Sequence, residues 1–532
     1  MLGVLIRVML GISVALIPTK AAAAQRIAFD LFPFGQFYIQ IDDLEAFVER
    51  GEVSSELAYY LNRLPPKQVE ALPELLSTPL ELNPLTIAKF SNSTIGETVI
   101  RNFGKAIRND TKRNGFLALR SAIIAAAFEK QGLTITNLLS QFPGETIYVD
   151  LKVIERYIKL GEKLFKDRQA IDNLFFTNPP PAEDSEIVPS YLAKSGQYMW
   201  QKKTLTYKNP RRNRPGNFDL YLPQIERASL IVISHGVASS RDTFDYLGQH
   251  LSSHGFAVAI VEHDDISLNK FDNFLSGLER FPEPNNLIDQ PLDVSSVLDK
   301  LERETKTDRL LQNKIDLQQV GIIGHSFGGY TSLALAGGKL IADPNAPKCQ
   351  IEDYQNILLD LSSLAKCTFN EISEVDYRLK DPRIKAVMAI NPMAKIFDKE
   401  GMAAINIPTM IVSGTNDLMM PSVPEQILPF SWLNPNIEKH LVLVKPGTHF
   451  SFLREGLGVL PVPDTVVGIR PTLAYPTIKS LSITFFKAHL EKNITYQKYL
   501  RSDRFDLEEN NTFDLSIVRS ISPTKLQQLI NY

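Results

Sequence analysis

Gly324-His325-Ser326-Phe327-Gly328 is the stretch of this chain best suited to covalent chemistry. The apolar run Val320-Gly321-Ile322-Ile323 precedes it, and a small-residue stretch from Gly329 to Ala336 follows. Strand, sharp turn and helix in that order make a nucleophile elbow, which holds a serine in a strained backbone with its hydroxyl exposed. Residues two before and two after must be small, because the strand and helix backbones nearly touch there. The helix start also offers backbone N–H groups to a developing negative charge. Ser326 is therefore the candidate nucleophile of an acyl transfer.

A serine on such a turn needs a carboxylate and then a histidine later in the chain. Of the 8 histidines, only His440, His449 and His489 lie beyond the pentapeptide. His440 opens the apolar run to Val444 and reads as a strand entrance. His489 ends a helical pattern from Leu481. His449 sits just after the strand, in Lys445-Pro446-Gly447-Thr448-His449-Phe450. Loops at the carboxyl ends of strands hold the catalytic side chains of open α/β sheets, so His449 is the expected general base. The strand Pro408 to Ser413 runs into Gly414-Thr415-Asn416-Asp417, a turn ending in a carboxylate. Asp417 is the expected acid, holding the His449 tautomer; a turn-only role, with another carboxylate as acid, is the alternative. The preceding strand, Ile384 to Ile390, ends at Asn391, which cannot carry charge, so changes there are expected to matter less. An earlier strand, Ser229 to Ser234, leads into His235-Gly236-Val237. Gly236 lets the backbone approach a substrate closely. The N–H groups of Val237 and Phe327 are the expected oxyanion donors.

The elements that must position these groups alternate. Short strands are expected at Leu205 to Tyr207, Phe218 to Leu222 and Phe256 to Val261, and strands then alternate with helical segments. That pattern predicts an α/β domain with a mostly parallel sheet covered by helices on both faces. Residues 264–290 and 338–382 exceed ordinary loop lengths and are expected to form cap insertions. Phe271, Phe274, Leu275 and Phe281 would line an acyl pocket there or pack in the core. Residues 25–165 read as a smaller, mainly helical domain. Leu44 to Arg50 ends at Gly51, Ser54 and Ser55 start a second helix, Pro65-Pro66 begins a third, and Phe116 to Phe128 is its buried helix. Pro179-Pro180-Pro181 opens a stiff polar stretch, placing a linker over 166–197. The catalytic domain follows over 198–495, with a C-terminal extension over 496–532.

These motifs together resemble an α/β-hydrolase, and within that class the platelet-activating factor acetylhydrolase type. The residues that match are Ser234-His235-Gly236, Val261-Glu262-His263-Asp264, Gly324 to Gly329 and Gly447-Thr448-His449-Phe450. Members of that group often place the acid where this chain has Asn391. Asp417 looks like the acid position of dienelactone-hydrolase-like and many bacterial esterases. Glu52 to Tyr60 and Gly115 to Arg120 resemble a helical domain of unknown function that precedes such hydrolases in secreted cyanobacterial proteins. The resemblance implies a secreted serine esterase acting on short-acyl phospholipid-like or other small esters, with polyesters and carotenoid esters also open. A non-catalytic binding or scaffold protein on the same fold is the competing expectation.

Composition bounds the rest. At 532 residues the chain exceeds one ordinary core, and 44% hydrophobic content argues against long disorder. A net charge of −3 gives no basic face for nucleic acid. Arg7, the apolar Val8 to Ile17 and Ala21 to Ala24 read as a signal peptide over 1–24 with cleavage after Ala24. The apolar run is too short to span a membrane. An exported protein, periplasmic or extracellular, is expected, with no transmembrane span once the leader is removed. In an oxidising compartment the 2 cysteines, Cys349 and Cys367, would form a disulfide worth roughly 3 kcal/mol; two buried thiols are the alternative. No P-loop, H-E-x-x-H or dinucleotide fingerprint occurs, so no cofactor or metal is expected. His263-Asp264-Asp265 is too compressed for all three to face one ion.

Overall fold

Apolar residues alternate between the two faces of nearly every central strand, and both faces are buried. In the strand β7 (Ala228–Ser234), Leu230 and Val232 enter one core while Ile231 and Ile233 enter the other. A strand buried on both faces belongs in a helix-covered parallel sheet. The structure is a computed structural model. It describes residues 23–80, 83–92, 94–177, 186–212, 214–275, 283–341, 361–370, 379–455, 467–501 and 512–530. The chain divides into two units, Met1–Leu160 and Gly161–Tyr532.

The first unit is helical around a small sheet. β1 (Arg26–Leu31), β2 (Gly35–Gln40), β3 (Ile107–Arg108) and β4 (Thr146–Val149) lie in the order β2-β1-β4-β3, with β1 and β4 parallel. The helix Ile41–Arg50 ends at Gly51, whose φ of 68° is the left-handed stop glycine favours. Ser54 caps the next helix, its hydroxyl accepting from the Leu57 N–H at 3.1 Å. Phe116–Ala127 buries Phe116, Leu119 and Ala122 against Ile41, Ile100 and Ile147. The strands were not legible in the sequence: β1 and β4 are paired across more than a hundred residues, and β3 is two residues long.

The second unit holds nine strands: β5 (Trp200–Tyr207), β6 (Gly216–Pro223), β7, β8 (Ala257–Val261), β9 (Ile315–His325), β10 (Ile384–Ile390), β11 (Thr409–Gly414), β12 (Lys439–Lys445) and β13 (Asp514–Val518). Their order is β13-β12-β11-β10-β9-β7-β8-β6-β5. β8 through β12 are parallel with β7, β6 and β13 run antiparallel to them, and the edge strand β5 pairs antiparallel with β6. One face packs on the helices Asn286–Thr307 and Phe327–Leu335, the other on Asp245–Ser253 and Tyr475–His489. Each fully buried Val, Leu or Ile contributes roughly 1.5–3 kcal/mol. This is an α/β fold with a mostly parallel sheet. Chain order reverses between β7 and β9, and ligands of such sheets bind at the strands' carboxyl ends near that switch.

Two stretches depart from the sequence reading. The helix Leu151–Ile171 and the turns to Thr177 occupy the start of the expected linker, and Ala170, Ile171 and Phe175 are buried in the second unit's core. Val188 and Leu192 are buried there too. The C-terminal extension supplies β13, whose Ile517 and Val518 enter the two cores. Residues 1–22, most of the polar stretch at Pro179, and residues 276–282, 342–360 and 371–378 of the expected cap insertions lie outside the described residues. So do Phe281, the side chains of Phe274 and Leu275, Cys349 and the side chain of Cys367. Among the described residues no helix is long and apolar enough to cross a membrane.

Candidate active site

Ser326 stands between β9 and the helix Phe327–Leu335 with φ 56° and ψ −118°. For a non-glycine residue that backbone is strained, and its surroundings must hold it. The Ser326 N–H donates to Ile390 O at 3.0 Å, and the Met393 N–H donates to Ser326 O at 3.2 Å. The small neighbours are a steric necessity. A Cβ on Gly324 would lie 1.9 Å from Gly328 O, and one on Gly328 would lie 2.1 Å from Ser234 O.

The structure brings Asp417 and His449 together. Asp417 Oδ2 accepts from His449 Nδ1 at 2.7 Å, while Oδ1 accepts from the Met419 and Met420 N–H groups at 2.9 and 2.7 Å. Both side chains are buried. An ionised carboxylate on Nδ1–H leaves Nε2 unprotonated and able to take a proton. The His449 loop is fastened to the residue before Ser326: His325 Nε2–H donates to His449 O at 2.9 Å. Burial, and next the neighbouring His449, hold the His325 pKa well below the usual histidine range, so His325 stays neutral.

Asn391 does more than its lack of charge suggested. Fully buried, it donates from Nδ2 to Thr448 O at 3.0 Å and accepts at Oδ1 from the Gly414 N–H at 2.8 Å. It thereby ties the end of β11, ahead of Asp417, to the His449 loop. A carboxylate could not make the first of these bonds.

The turn after β7 lies against the elbow because β7 and β9 are neighbours, with Ser234 opposite Gly324. A Cβ on Gly236 would stand 2.9 Å from Ser326 Cβ, so only glycine fits without a shift. His235 sets the orientation of the next peptide. Its Nε2 accepts from the His263 N–H at 3.0 Å, so the ring proton is on Nδ1 and donates to Gly236 O at 2.8 Å. In a trans peptide C=O and N–H point opposite ways, so pinning Gly236 O directs the Val237 N–H away from His235. Among the described residues neither the Val237 nor the Phe327 N–H has a protein acceptor.

Beneath this turn lies a buried network that sequence reasoning missed. His263 Nε2 meets Ser234 Oγ at 2.9 Å and Nδ1 meets Asp293 Oδ2 at 3.2 Å. Arg212 grips Asp293 with two hydrogen bonds of 2.7 Å, and Asn209 adds one of 2.8 Å. Burial opposes the Asp293 charge, but His263 and Arg212 outweigh it and hold the pKa below the usual carboxylate range. Burial lowers His263 to about 4 despite Asp293. Asp264 and Asp265 turn instead to Arg214 and Arg212. The network spans residues 209 to 293, a separation that leaves no local signal beyond Val261-Glu262-His263-Asp264.

A cavity of about 210 Å³ beside the acid loop is lined by Asp417, Leu418 and Thr448 together with Leu164, Arg168 and Ile171. Neither Ser326 nor His449 lines it.

Two family models match the chain: "Alpha/beta hydrolase of unknown function" over residues 23–150, and "Platelet-activating factor acetylhydrolase, isoform II" over residues 182–276. The second match includes the turn at His235 and the block at His263. The chain is 31% identical over 153 residues to platelet-activating factor acetylhydrolase of Bos taurus and 30% identical over 152 residues to that of Canis lupus familiaris. Each alignment covers 22% of this chain and 34% of the relative, so the chain spans about a third of the length of the curated relatives it matches. Fold and comparisons define an α/β-hydrolase. Within that class the chain is similar to platelet-activating factor acetylhydrolases over the matched residues.

Proposed function

We propose that this protein is a serine esterase with Ser326 as nucleophile, His449 as general base and Asp417 as its orienting acid. The observation that supports it most is the buried 2.7 Å Asp417–His449 bond, tethered through His325 to the strained serine. Ser326 Oγ attacks the ester carbonyl carbon while His449 Nε2 takes its proton. The carbonyl π pair moves to oxygen, which the Val237 and Phe327 N–H groups hold. The oxyanion collapses, the C–O bond to the alcohol breaks, and His449 returns the proton to the leaving alkoxide. Water, deprotonated by His449, then attacks the acyl carbon, the bond to Ser326 Oγ breaks, His449 returns the proton to Ser326 and the acid leaves. Water is the only co-reactant.

The substrates are small or lipid-like esters, with short-acyl phospholipids suggested by the relatives' names. The leader-like residues 1–24 direct the chain to the periplasm or the exterior. A panel of p-nitrophenyl esters and acetylated phospholipids tests this reading. Turnover should fall with acyl length and drop by a factor of about 10⁴ or more in Ser326→Ala. Turnover in that variant within about tenfold of the parent would sink the assignment.

A further inference from the structure

His440 and His489 meet at the opposite end of the strands from Asp417 and His449. His440 is the second residue of β12, at its amino end, whereas His449 follows the carboxyl end of the same strand. His489 closes the helix Tyr475–His489. Their rings stand 6.4 Å apart, both edge-on to Phe485. Glu438 completes the group: its Oε2 is 3.6 Å from His489 Nε2, and one donor atom from each residue lies within 4.8 Å of the others.

What points to a ligand is that buried imidazole nitrogens stand without partners. His440 is 4% exposed, and neither of its ring nitrogens has a hydrogen-bond partner among the described residues. His489 Nε2 is likewise buried without one. Buried polar atoms are normally satisfied, and an exception needs an explanation. The Glu438 side chain is 70% exposed and gives the group a path to solvent. The carboxyl end of the helix adds the negative end of its dipole.

We propose that Glu438, His440 and His489 bind one zinc ion that clamps the helix Tyr475–His489 to β12. Two imidazoles and a carboxylate form the donor set of a borderline divalent transition ion, not of calcium or magnesium, which prefer oxygen. Zinc–ligand bonds of about 2.0–2.2 Å put tetrahedral donors roughly 3.3–3.5 Å apart. The Glu438–His489 pair is already near that spacing, and a shift of about an ångström brings in His440. Water takes the fourth position. The ion is structural, because it lies at the opposite end of β12 from His449.

The test is calorimetric titration of the chelator-treated full chain with Zn²⁺, followed by visible absorption of the Co²⁺-substituted protein. One equivalent should bind, raise the thermal midpoint and give the absorption of a tetrahedral nitrogen–oxygen site without a thiolate band. Glu438→Gln, exposed and safe for folding, should weaken binding by at least about tenfold, the loss that even an outer-shell partner produces. His489→Ala should abolish binding, while the double change Cys349→Ser, Cys367→Ser should leave it intact. No saturable binding, or binding indifferent to both Glu438→Gln and His489→Ala, would overturn the proposal.

Discussion

Asp417 and Asn391 end neighbouring strands and divide two tasks between them. Asp417→Asn should keep the loop's shape but lose control of the His449 tautomer, lowering kcat by about 10⁴. Asn391→Ala should act first on stability. It leaves the buried Gly414 N–H unpaired, at about 1–3 kcal/mol, and the Thr448 carbonyl with only the 3.4 Å bond from the Ser451 N–H. Denaturant midpoints and kcat measured on both variants separate the roles. A larger kcat loss for Asn391→Ala than for Asp417→Asn would place the acid wrongly. Ser326, Asp417 and His449 could be singled out from sequence because each follows an apolar run that ends in small or turn-forming residues. Asn391's bridging amide could not be, since both its partners are backbone atoms of loops 23 to 58 residues away. The pairing of His440 with His489 was hidden for the same reason: a strand's first turn and a helix's last residue meet only after the sheet is assembled.

The elbow is an element-scale device, held in place by contact between backbones. Ser326 keeps its unfavourable φ because β9, the following helix, β10 and the turn after β7 all close on it. Gly328→Ala should therefore damage more than the elbow, since its Cβ would meet Ser234 O at 2.1 Å, inside the strand that carries the oxyanion turn. Forced separation of two packed backbones costs on the order of 1–3 kcal/mol or more. The variant should show a lower thermal midpoint and a lower kcat together, and an unchanged midpoint would mean that the contact is not tight. The parallel strands of this region were legible because their apolar runs are bounded by glycine, proline or polar turns. The four-stranded sheet of the first unit was not, because its strands have two to six residues and sit among stronger helical patterns.

At the scale of the molecule, the boundary between the units falls earlier than the polyproline stretch suggests. A chain beginning at Gly161 should fold and hydrolyse small esters. One beginning at Tyr198 lacks Ile171, Phe175, Val188 and Leu192 from the cores, a loss on the order of 10 kcal/mol, comparable to the whole stability of a domain. Circular dichroism and turnover of the two truncations decide; equal behaviour would show that residues 161–197 are a linker after all. Stability should also fall in mild acid. Burial lowers His263 to about 4 and His250 to about 2, so below the ordinary value of 6.5 the unfolded chain binds protons that the folded chain refuses. Each group removes up to about 1.4 kcal/mol per pH unit between 6.5 and its folded value. Denaturant midpoints should drop between about pH 7.5 and about pH 5.5, less so in His250→Leu; a flat profile would mean these rings are not buried neutral. The central claim is that Ser326 is the activated nucleophile. Labelling the intact protein with a fluorophosphonate and mapping the adduct by peptide mass spectrometry tests it most directly. One adduct is expected, on Ser326, absent in Ser326→Ala and slowed in Asp417→Asn. No labelling, or an adduct on another serine that persists in Ser326→Ala, would contradict it.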